Sequence, residues 1–260
     1  MIGFLLKKTM YDLWDNMFRI VVLNLGFIAV FAVPIFLPRL AVRFTDSQLL
    51  TMALSAFGIL LCSVYLAAAA FSVKSLSDYG FFGFMDFFGN IKKAWPAGLV
   101  MGAFVFILLL VVTVVIPFYA SIESPVGLLL AAVVFWTSIF CLLSFQFYFS
   151  VCVRLGPNLI KTFRKCMIIS LDNSGLSIFL LLHNIAALIL SIIFAFLFPG
   201  PAGILLYIDE ALRLRLLKYD WLEANPGANR KKIPWDELLI EERDKTGDRT
   251  FKNFIFPWKD

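Results

Sequence analysis

The chain has 260 residues, of which 61% are hydrophobic and 16% are charged, with a net charge of +5 at neutral pH. Soluble domains carry about 45–50% apolar and about 25% charged residues, so this composition excludes a soluble enzyme and a disordered protein. Its four cysteines form no CxxC pair and indicate neither a disulfide framework nor a zinc site.

The charged residues are segregated along the chain. Five tracts of 19 to 36 residues contain no Asp, Glu, Lys or Arg, at 20–38, 47–73, 94–122, 124–153 and 173–208. About 20 apolar residues in a helix span the hydrocarbon core of a bilayer. The sequence therefore predicts an all-α, polytopic membrane protein whose first partner is the lipid bilayer. The basic residues flank these tracts, which favours a membrane surface over nucleic acid as their partner.

Charges, Pro and Gly bound five predicted membrane helices, at residues 18–38, 50–73, 96–119, 126–152 and 176–198. Residues 1–17 contain Lys7 and Lys8, and the apolar run after them lacks a small-residue cleavage site. We therefore expect a retained first helix rather than a signal peptide. Two inner connections, 75–95 and 157–172, combine large apolar with basic residues. They predict amphipathic helices lying in the cytoplasmic interface.

The basic residues also predict the orientation. With a cytoplasmic N-terminus, ten Lys and Arg lie in the inner segments and only two, Arg39 and Arg43, lie in the outer loops. Short cytoplasmic loops carry an excess of such residues. Arg213, Arg215 and Lys218 follow the fifth helix closely. They favour a sixth segment that returns the chain to the cytoplasm.

This sixth segment is predicted at 202–218, and it is short and partly charged. It carries Asp209, Glu210 and Arg213 into the bilayer. Asp209 and Arg213 are four residues apart with the acid first, which is the favourable order for a helical ion pair. The prediction is thus a bundle of six membrane segments over residues 1–221, with both termini in the cytoplasm.

Residues 222–260 form a polar cytoplasmic tail of different composition. A turn precedes a short charged helix that is predicted to end near residue 245. The last twelve residues mix aromatic with basic side chains, and such segments favour interfaces. They can dock on the membrane, on the protein's own inner loops or on a partner. The candidate docking residues are Phe251, Phe254, Ile255, Phe256 and Trp258.

Short motifs flank the predicted helices. They are Asn24 and Pro34 in the first helix, Phe84-x-x-Phe87-Phe88-x-Asn90-x-Lys92-Lys93-Ala94-Trp95 before the third, Phe163-Arg164-Lys165 before the fifth, and Tyr207-Ile208-x-x-x-Leu212-x-Leu214-Arg215-x-x-Lys218-Tyr219 in the sixth. Over roughly residues 5–220 this pattern resembles the YesL-like family of bacterial integral membrane proteins, and the tail extends beyond that pattern.

The resemblance implies a place and a partner. Members of that family are often encoded beside components of carbohydrate ABC transporters, and the family's function is not established. The resemblance therefore implies a bacterial cytoplasmic membrane location and an accessory role in sugar uptake, with an ABC-transporter component as partner. It supplies no catalytic residues and no cofactor.

Polar side chains inside a bilayer are candidate functional groups because each costs free energy unless it is paired. Counted from the cytoplasmic end of each predicted helix, several of them fall in one layer roughly 9–14 Å deep. We hypothesise that they line a polar cavity open to the cytoplasm, with Arg213 as counter-charge at its entrance. The candidate residues are Asn24, Gln146, His183, Asn184, Asp209, Glu210 and Arg213.

A simpler interpretation stands beside this one. Asn and Gln in membrane helices commonly form hydrogen bonds between helices. His183 is the only histidine, and it has no second ligand at metal-binding spacing. A sixth helix that is only partly inserted would leave Asp209 and Glu210 at an aqueous interface.

Three functions compete on these grounds. The first is a non-enzymatic accessory or assembly protein, and the second is a small transporter or channel that uses the polar layer. A membrane enzyme has the least support, since no Walker, Rossmann, HExxH or GxSxG pattern occurs. The outer halves of the predicted helices are almost entirely apolar, with exceptions such as Thr113, Thr137 and Ser191. This composition favours the accessory interpretation.

Overall fold

The computed structural model describes residues 1–45, 47–156, 158–230 and 232–247, and its regular structure in these ranges is entirely helical. The helices are α1 (Ile2–Asp15), α2 (Met17–Val42), α3 (Gln48–Ser77), α4 (Phe84–Leu110), α5 (Ile116–Ala120), α6 (Pro125–Phe145), α7 (Tyr148–Leu155), α8 (Leu159–Asp172), α9 (Ser174–Ile193), α10 (Gly200–Ala224), α11 (Trp235–Leu238) and α12 (Ile240–Thr246). A π-helical turn, Val111–Val115, joins α4 to α5. The all-α prediction is confirmed.

Five segments of the described chain are long and apolar enough to cross a membrane. They are Met17–Val42, Gln48–Ser77, Phe84–Ala120, Pro125–Leu155 and Ser174–Ile193. These segments follow the order of the five charge-free tracts, because burying a charge in hydrocarbon is costly. The chain is a multi-pass helical membrane protein.

Two helix boundaries differ from those expected from the sequence. The region 75–95 is not one interfacial helix, since α3 continues to Ser77 and α4 begins at Phe84. Asp86 fixes the start of α4 by accepting a hydrogen bond from the Gly83 amide at 2.7 Å. The helix expected at 126–152 is interrupted after Phe145, between α6 and α7. Hydropathy marks where a chain enters the membrane, and a helix can begin or bend elsewhere.

Helix α10 lies at the centre of the bundle. It contacts α1, α2, α3, α7 and α9, and about half of its residues are buried, including Asp209 and Glu210. It occupies the place of the sixth segment expected at 202–218. Because other helices surround α10, its charged side chains meet protein groups instead of lipid.

Small residues let α3 and α4 approach closely. A Cβ atom added at Gly98 would overlap the backbone of Val64, and one added at Gly102 would lie 2.8 Å from Leu60 Cδ2. Four consecutive alanines of α3, residues 67–70, are buried, and α3 also contacts α10. Close approach of helices through small residues is a main source of packing in membranes. The glycine pair therefore serves packing within this chain.

Four parts of the chain meet at one end of the bundle, which we call the charged end. They are α1, the connection between α3 and α4, the end of α7, and α12. Tyr79 Oη, just after α3, donates a hydrogen bond to Glu242 Oε2 of α12 at 2.8 Å. Lys7 Nζ of α1 lies 3.5 Å from the Gly247 carbonyl oxygen. The N-terminal helix and Gly247 therefore lie on the same side of the bundle.

The first half of the polar tail packs against the helical domain. Leu239, between α11 and α12, is fully buried. The guanidinium of Arg215 lies 5.3 Å from the ring centre of Trp235, within the range of a cation–π contact. Residues 235–247 of the tail are thus part of the folded unit.

Candidate functional site

The most buried charges of the described chain form an ion pair between α1 and α10. Lys8 and Glu210 are both fully buried, and Lys8 Nζ lies 3.3 Å from Glu210 Oε1. The second carboxylate oxygen of Glu210 accepts a hydrogen bond from the Thr9 hydroxyl. Lys8 also pairs with Asp12, one helical turn along α1. A buried charge requires such partners, because desolvation is otherwise very costly.

A second ion pair links α7 to α10 and α3. Arg154 Nε donates to Asp209 Oδ1 at 2.9 Å, and its two terminal nitrogens lie 3.1 Å from Asp78 Oδ1. Arg154 Nη2 also donates to the Ser77 hydroxyl at 2.9 Å. Guanidinium forks suit such multiple contacts with carboxylates. The side chain of Arg154 is only 10% exposed.

Arg213 extends this network to α12. Its Nη1 lies 2.8 Å from Asp78 Oδ1, and its Nη2 lies 2.7 Å from Glu242 Oε1. The ring of Tyr79 lies beneath two of the cations, 4.2 Å from Lys8 Nζ and 5.1 Å from the Arg213 guanidinium carbon. Tyr79 adopts φ of 59°, which turns the chain sharply after α3.

We call this set the ionic cluster. It joins three cations and five carboxylates from α1, α3 and its following turn, α7, α10 and α12. Its members are Lys8, Asp12, Asp78, Arg154, Asp209, Glu210, Arg213 and Glu242. The cluster holds distant parts of the chain together through ion pairs, because every charge in it has a partner of opposite sign.

Two groups of the cluster region that lie outside the membrane-spanning segments have shifted pKa values. Burial alone would lower the pKa of Lys8, but the carboxylates of Glu210 and Asp12 outweigh it and raise that pKa above its ordinary value. Burial raises the pKa of Tyr79 to about 12. Lys8 is therefore positively charged and Tyr79 neutral at physiological pH.

A smaller polar contact ties α8 to α10. Asp172 accepts hydrogen bonds from Lys218 Nζ at 2.7 Å and from Tyr219 Oη at 2.9 Å. Burial would raise the pKa of Asp172, but these two hydrogen bonds and the charge of Lys218 lower it below its ordinary value. Lys218 is buried against this partner, whereas a membrane-facing lysine would extend to the interface.

Asn24 lies apart from the ionic cluster, at the start of α10. Its Nδ2 donates to the carbonyl oxygens of Leu197 and Pro199 at 3.0 and 2.8 Å, and its Oδ1 accepts from the Ala202 amide at 2.9 Å. The first amides of a helix have no partner within the helix. Asn24 is fully buried and satisfies this turn from α2, so its role is to hold α10 in place.

Gln146, Asn184 and His183 form another separate group, along α9. Gln146 Nε2 donates to the Ser177 carbonyl oxygen at 2.9 Å, and the Asn184 amide lies 3.4 Å from Gln146 Oε1. The imidazole of His183 stacks on the Tyr207 ring, with 3.6 Å between the ring centres. These contacts link α6, α9 and α10 as interhelical hydrogen bonds and packing do in membrane proteins.

The seven predicted cavity residues thus do not meet in one cavity. Asp209, Glu210 and Arg213 belong to the ionic cluster, Asn24 holds the start of α10, and the other three lie along α9. The predicted ion pair between Asp209 and Arg213 is replaced by contacts to other helices, because Arg154 and Asp78 lie closer to them. The depth of a residue along its helix does not determine the direction in which its side chain faces within the bundle.

Several residues of the ionic cluster were not among the sequence candidates. The sequence uses Lys8 and Arg154 only as basic residues of inner segments that predict the orientation, and it places Glu242 in the polar tail. Their partners are 202, 55 and 29 residues away in sequence. The local sequence carries no signal of such contacts. The adjacent acids Asp209 and Glu210 were a hint that basic partners are needed, but not of where those partners lie.

Other candidates bear on ligands. Within the described ranges, no three His, Cys, Asp or Glu side chains are grouped as a metal site requires. The docking candidates Phe251, Phe254, Ile255, Phe256 and Trp258 lie outside the described residues.

No protein-family model matches the chain. Searches of curated proteins and of solved structures likewise gave no significant match. The site must therefore be interpreted from its own geometry.

Proposed function

We propose that this chain is a non-enzymatic accessory or assembly protein of the bacterial cytoplasmic membrane, with both termini in the cytoplasm. The observation that carries this proposal is the ionic cluster. Its charges are paired with one another across five parts of the chain, so they hold the charged end together. No charge of the cluster is left unpaired to bind a substrate or to transfer a proton. A rigid cytoplasmic end suits a protein that acts by holding a partner.

The alternative function is a small transporter or channel, and the described outer half gives it less support. A pathway needs polar groups that face it. The hydroxyls of Thr113, Thr137 and Ser191 instead donate to carbonyl oxygens one turn back in their own helices, at 2.7, 2.8 and 2.6 Å. Backbone groups thus satisfy these hydroxyls, and Ser191 Oγ also accepts a hydrogen bond from the Gly200 amide at 3.0 Å.

The partner that we propose is a component of a carbohydrate ABC transporter. This proposal comes from the resemblance to the YesL-like family. The aromatic tail segment at residues 249–260 is its proposed contact, because it joins large apolar and basic side chains in one short stretch. The exposed basic residues Lys92, Lys93, Lys161 and Arg164 suit an anionic membrane surface.

The orientation has a direct test. In a chain whose native cysteines are replaced by Ser, we expect Glu241→Cys to react with a membrane-impermeant maleimide only after cells are permeabilised. Ser121→Cys, in the exposed connection between α5 and α6, should react in intact cells. Labelling with the opposite pattern would place the charged end outside and reject this orientation.

The accessory role is tested by affinity purification in mild detergent. We expect the full chain to retain a permease subunit of a carbohydrate ABC transporter, and a chain ending at residue 248 to lose it. Lys92→Gln serves as control, since it alters an exposed cation of α4 but leaves the tail intact. Recovery of no such subunit with the full chain, or sugar flux through vesicles that contain this chain alone, would favour the transporter.

A further inference from the structure

A large apolar groove lies between α1 and the pair of helices α9 and α10. Its volume is about 730 Å³, which is within the range of ligand cavities in proteins, about 300–1,000 Å³. One face of α1 forms a wall, through residues such as Leu6, Met10 and Leu13. Opposite lie Ala187 of α9 and Gly203 of α10, and a Cβ added at Gly203 would lie 3.2 Å from Leu13 Cδ2.

Two residues that line the groove carry a buried polar atom without a partner in the described part of the chain. Tyr207 is 1% exposed and lines the groove, and its hydroxyl makes no hydrogen bond within the described residues. The Nδ1 atom of His183, whose ring stacks on Tyr207, is also unsatisfied there. Buried polar groups without a partner cost about 1–3 kcal/mol each. A ligand that offers hydrogen-bonding oxygen atoms inside an otherwise apolar groove would satisfy them.

A cation lies at the groove's charged end. Lys7 lines the groove and also a smaller cavity of about 260 Å³ beside it, together with Arg243. Within the described chain, no carboxylate lies at ion-pair distance from Lys7, whose Nζ donates a hydrogen bond to the Gly247 carbonyl oxygen at 3.5 Å. The entrance therefore suits an anionic head group.

The groove also lies at the level where the chain enters the membrane. Helix α1 lines it and is followed after one residue by the membrane span α2. Trp14, on the wall, is 49% exposed, and Phe18, just beyond it, is 72% exposed. Aromatic residues of this kind are enriched at membrane interfaces. Phospholipid tails are therefore the apolar molecules nearest to the groove.

We propose that this groove binds one acyl chain of an anionic phospholipid from the adjacent leaflet. The acyl chain lies between Leu13 and Ala187, the phosphate faces Lys7, and the ester oxygen accepts a hydrogen bond from the Tyr207 hydroxyl. This role goes beyond the accessory function, since it assigns a lipid site that does not depend on any protein partner.

The test uses native mass spectrometry of the full chain in mild detergent. Dioleoyl phosphatidylglycerol is the anionic probe, and dioleoyl phosphatidylcholine is the zwitterionic comparison. We expect one phosphatidylglycerol to remain bound to the wild-type chain. Ala187→Phe, which fills the groove, should abolish this binding. Lys7→Gln should weaken it about fivefold, the effect expected of one lysine near an anionic lipid, and should leave phosphatidylcholine binding unchanged.

Two further variants keep the result interpretable. Tyr207→Phe removes only an unpaired hydroxyl, so the fold should be preserved while phosphatidylglycerol binding weakens. Arg39→Gln removes an exposed cation in the last turn of α2, at the opposite end of that helix from α1, and should bind as the wild type does. Equal retention of phosphatidylglycerol by the wild type, Ala187→Phe and Tyr207→Phe would overturn the proposal. Retention only in a chain ending at Gly247 would assign the groove to the tail instead, and would also overturn it.

Discussion

Replacing Lys8 by Met is expected to lower the free energy of unfolding by about 3–5 kcal/mol, the usual cost of removing one partner from a buried ion pair. The change leaves the Glu210 carboxylate fully buried, with the Thr9 hydroxyl as its remaining donor and the Asp12 side chain close by. Met has nearly the volume of Lys, so little packing is lost. The measurement is the midpoint and slope of denaturant unfolding in detergent micelles.

A second substitution separates charge from packing. Glu210→Gln in the Lys8→Met background neutralises the unpaired carboxylate and should recover most of the lost stability, because a buried pair replaced by neutral groups is often neutral in free energy. Arg243→Met is the matched control. Its partner is Asp236, and the two side chains are 51% and 94% exposed, so the cost should be under about 1 kcal/mol. Equal costs for Lys8→Met and Arg243→Met would show that the cluster does not hold the fold.

Replacing Gly200 by Ala is expected to cost at least about 2 kcal/mol, for two reasons. Gly200 has φ of 62°, where a residue with a side chain is strained. Its new Cβ would also overlap the Asn24 amide. That amide would then lose its hydrogen bonds to the start of α10, including the one to the Pro199 carbonyl oxygen.

Asn24→Leu should have an effect of similar size, since it removes the same hydrogen bonds from the other side. The double variant should cost less than the sum of the two, because contacting residues are not additive. Gly175→Ala is the control, since nothing lies within 4 Å of its added Cβ and its φ is not positive. Unfolding of the four variants under the same detergent conditions checks this. If the cost of the double variant equalled the sum of the two single costs, the contact between Asn24 and Gly200 would be contradicted.

The membrane helices could be predicted because the bilayer imposes its own rule on the sequence. A charge inside hydrocarbon is costly, so gaps in the charged residues mark the spans. The basic residues just after the last tract predicted a sixth segment at 202–218, and α10 occupies that stretch, but it is not among the five segments of the described chain that are long and apolar enough to cross a membrane. The helix boundaries were less predictable, as the continuous helix from Phe84 shows, because an aromatic interfacial segment and a membrane helix have the same backbone.

The site was predictable only in part. Asp209 and Glu210 could be singled out since acids near a membrane need partners, but nothing local identifies Arg154 or Lys8 as those partners. Side chains on different helices meet according to helix tilt and rotation, which follow from packing of the whole bundle. Depth along each helix therefore grouped Asn24 with Glu210. In the structure Asn24 binds the start of α10 at Ala202, whereas Glu210 pairs with Lys8 further along α10.

The pairing of Lys8 with Glu210 also has a consequence for biosynthesis. The two residues are 202 positions apart, so at about 5–20 residues per second the ribosome needs about 10–40 s to supply the acid after the lysine. Until then Lys8 has only Asp12 of its own helix as an ion-pair partner. The ionic cluster can close only when α10 and α12 have been synthesised, which makes its closure a late step of assembly.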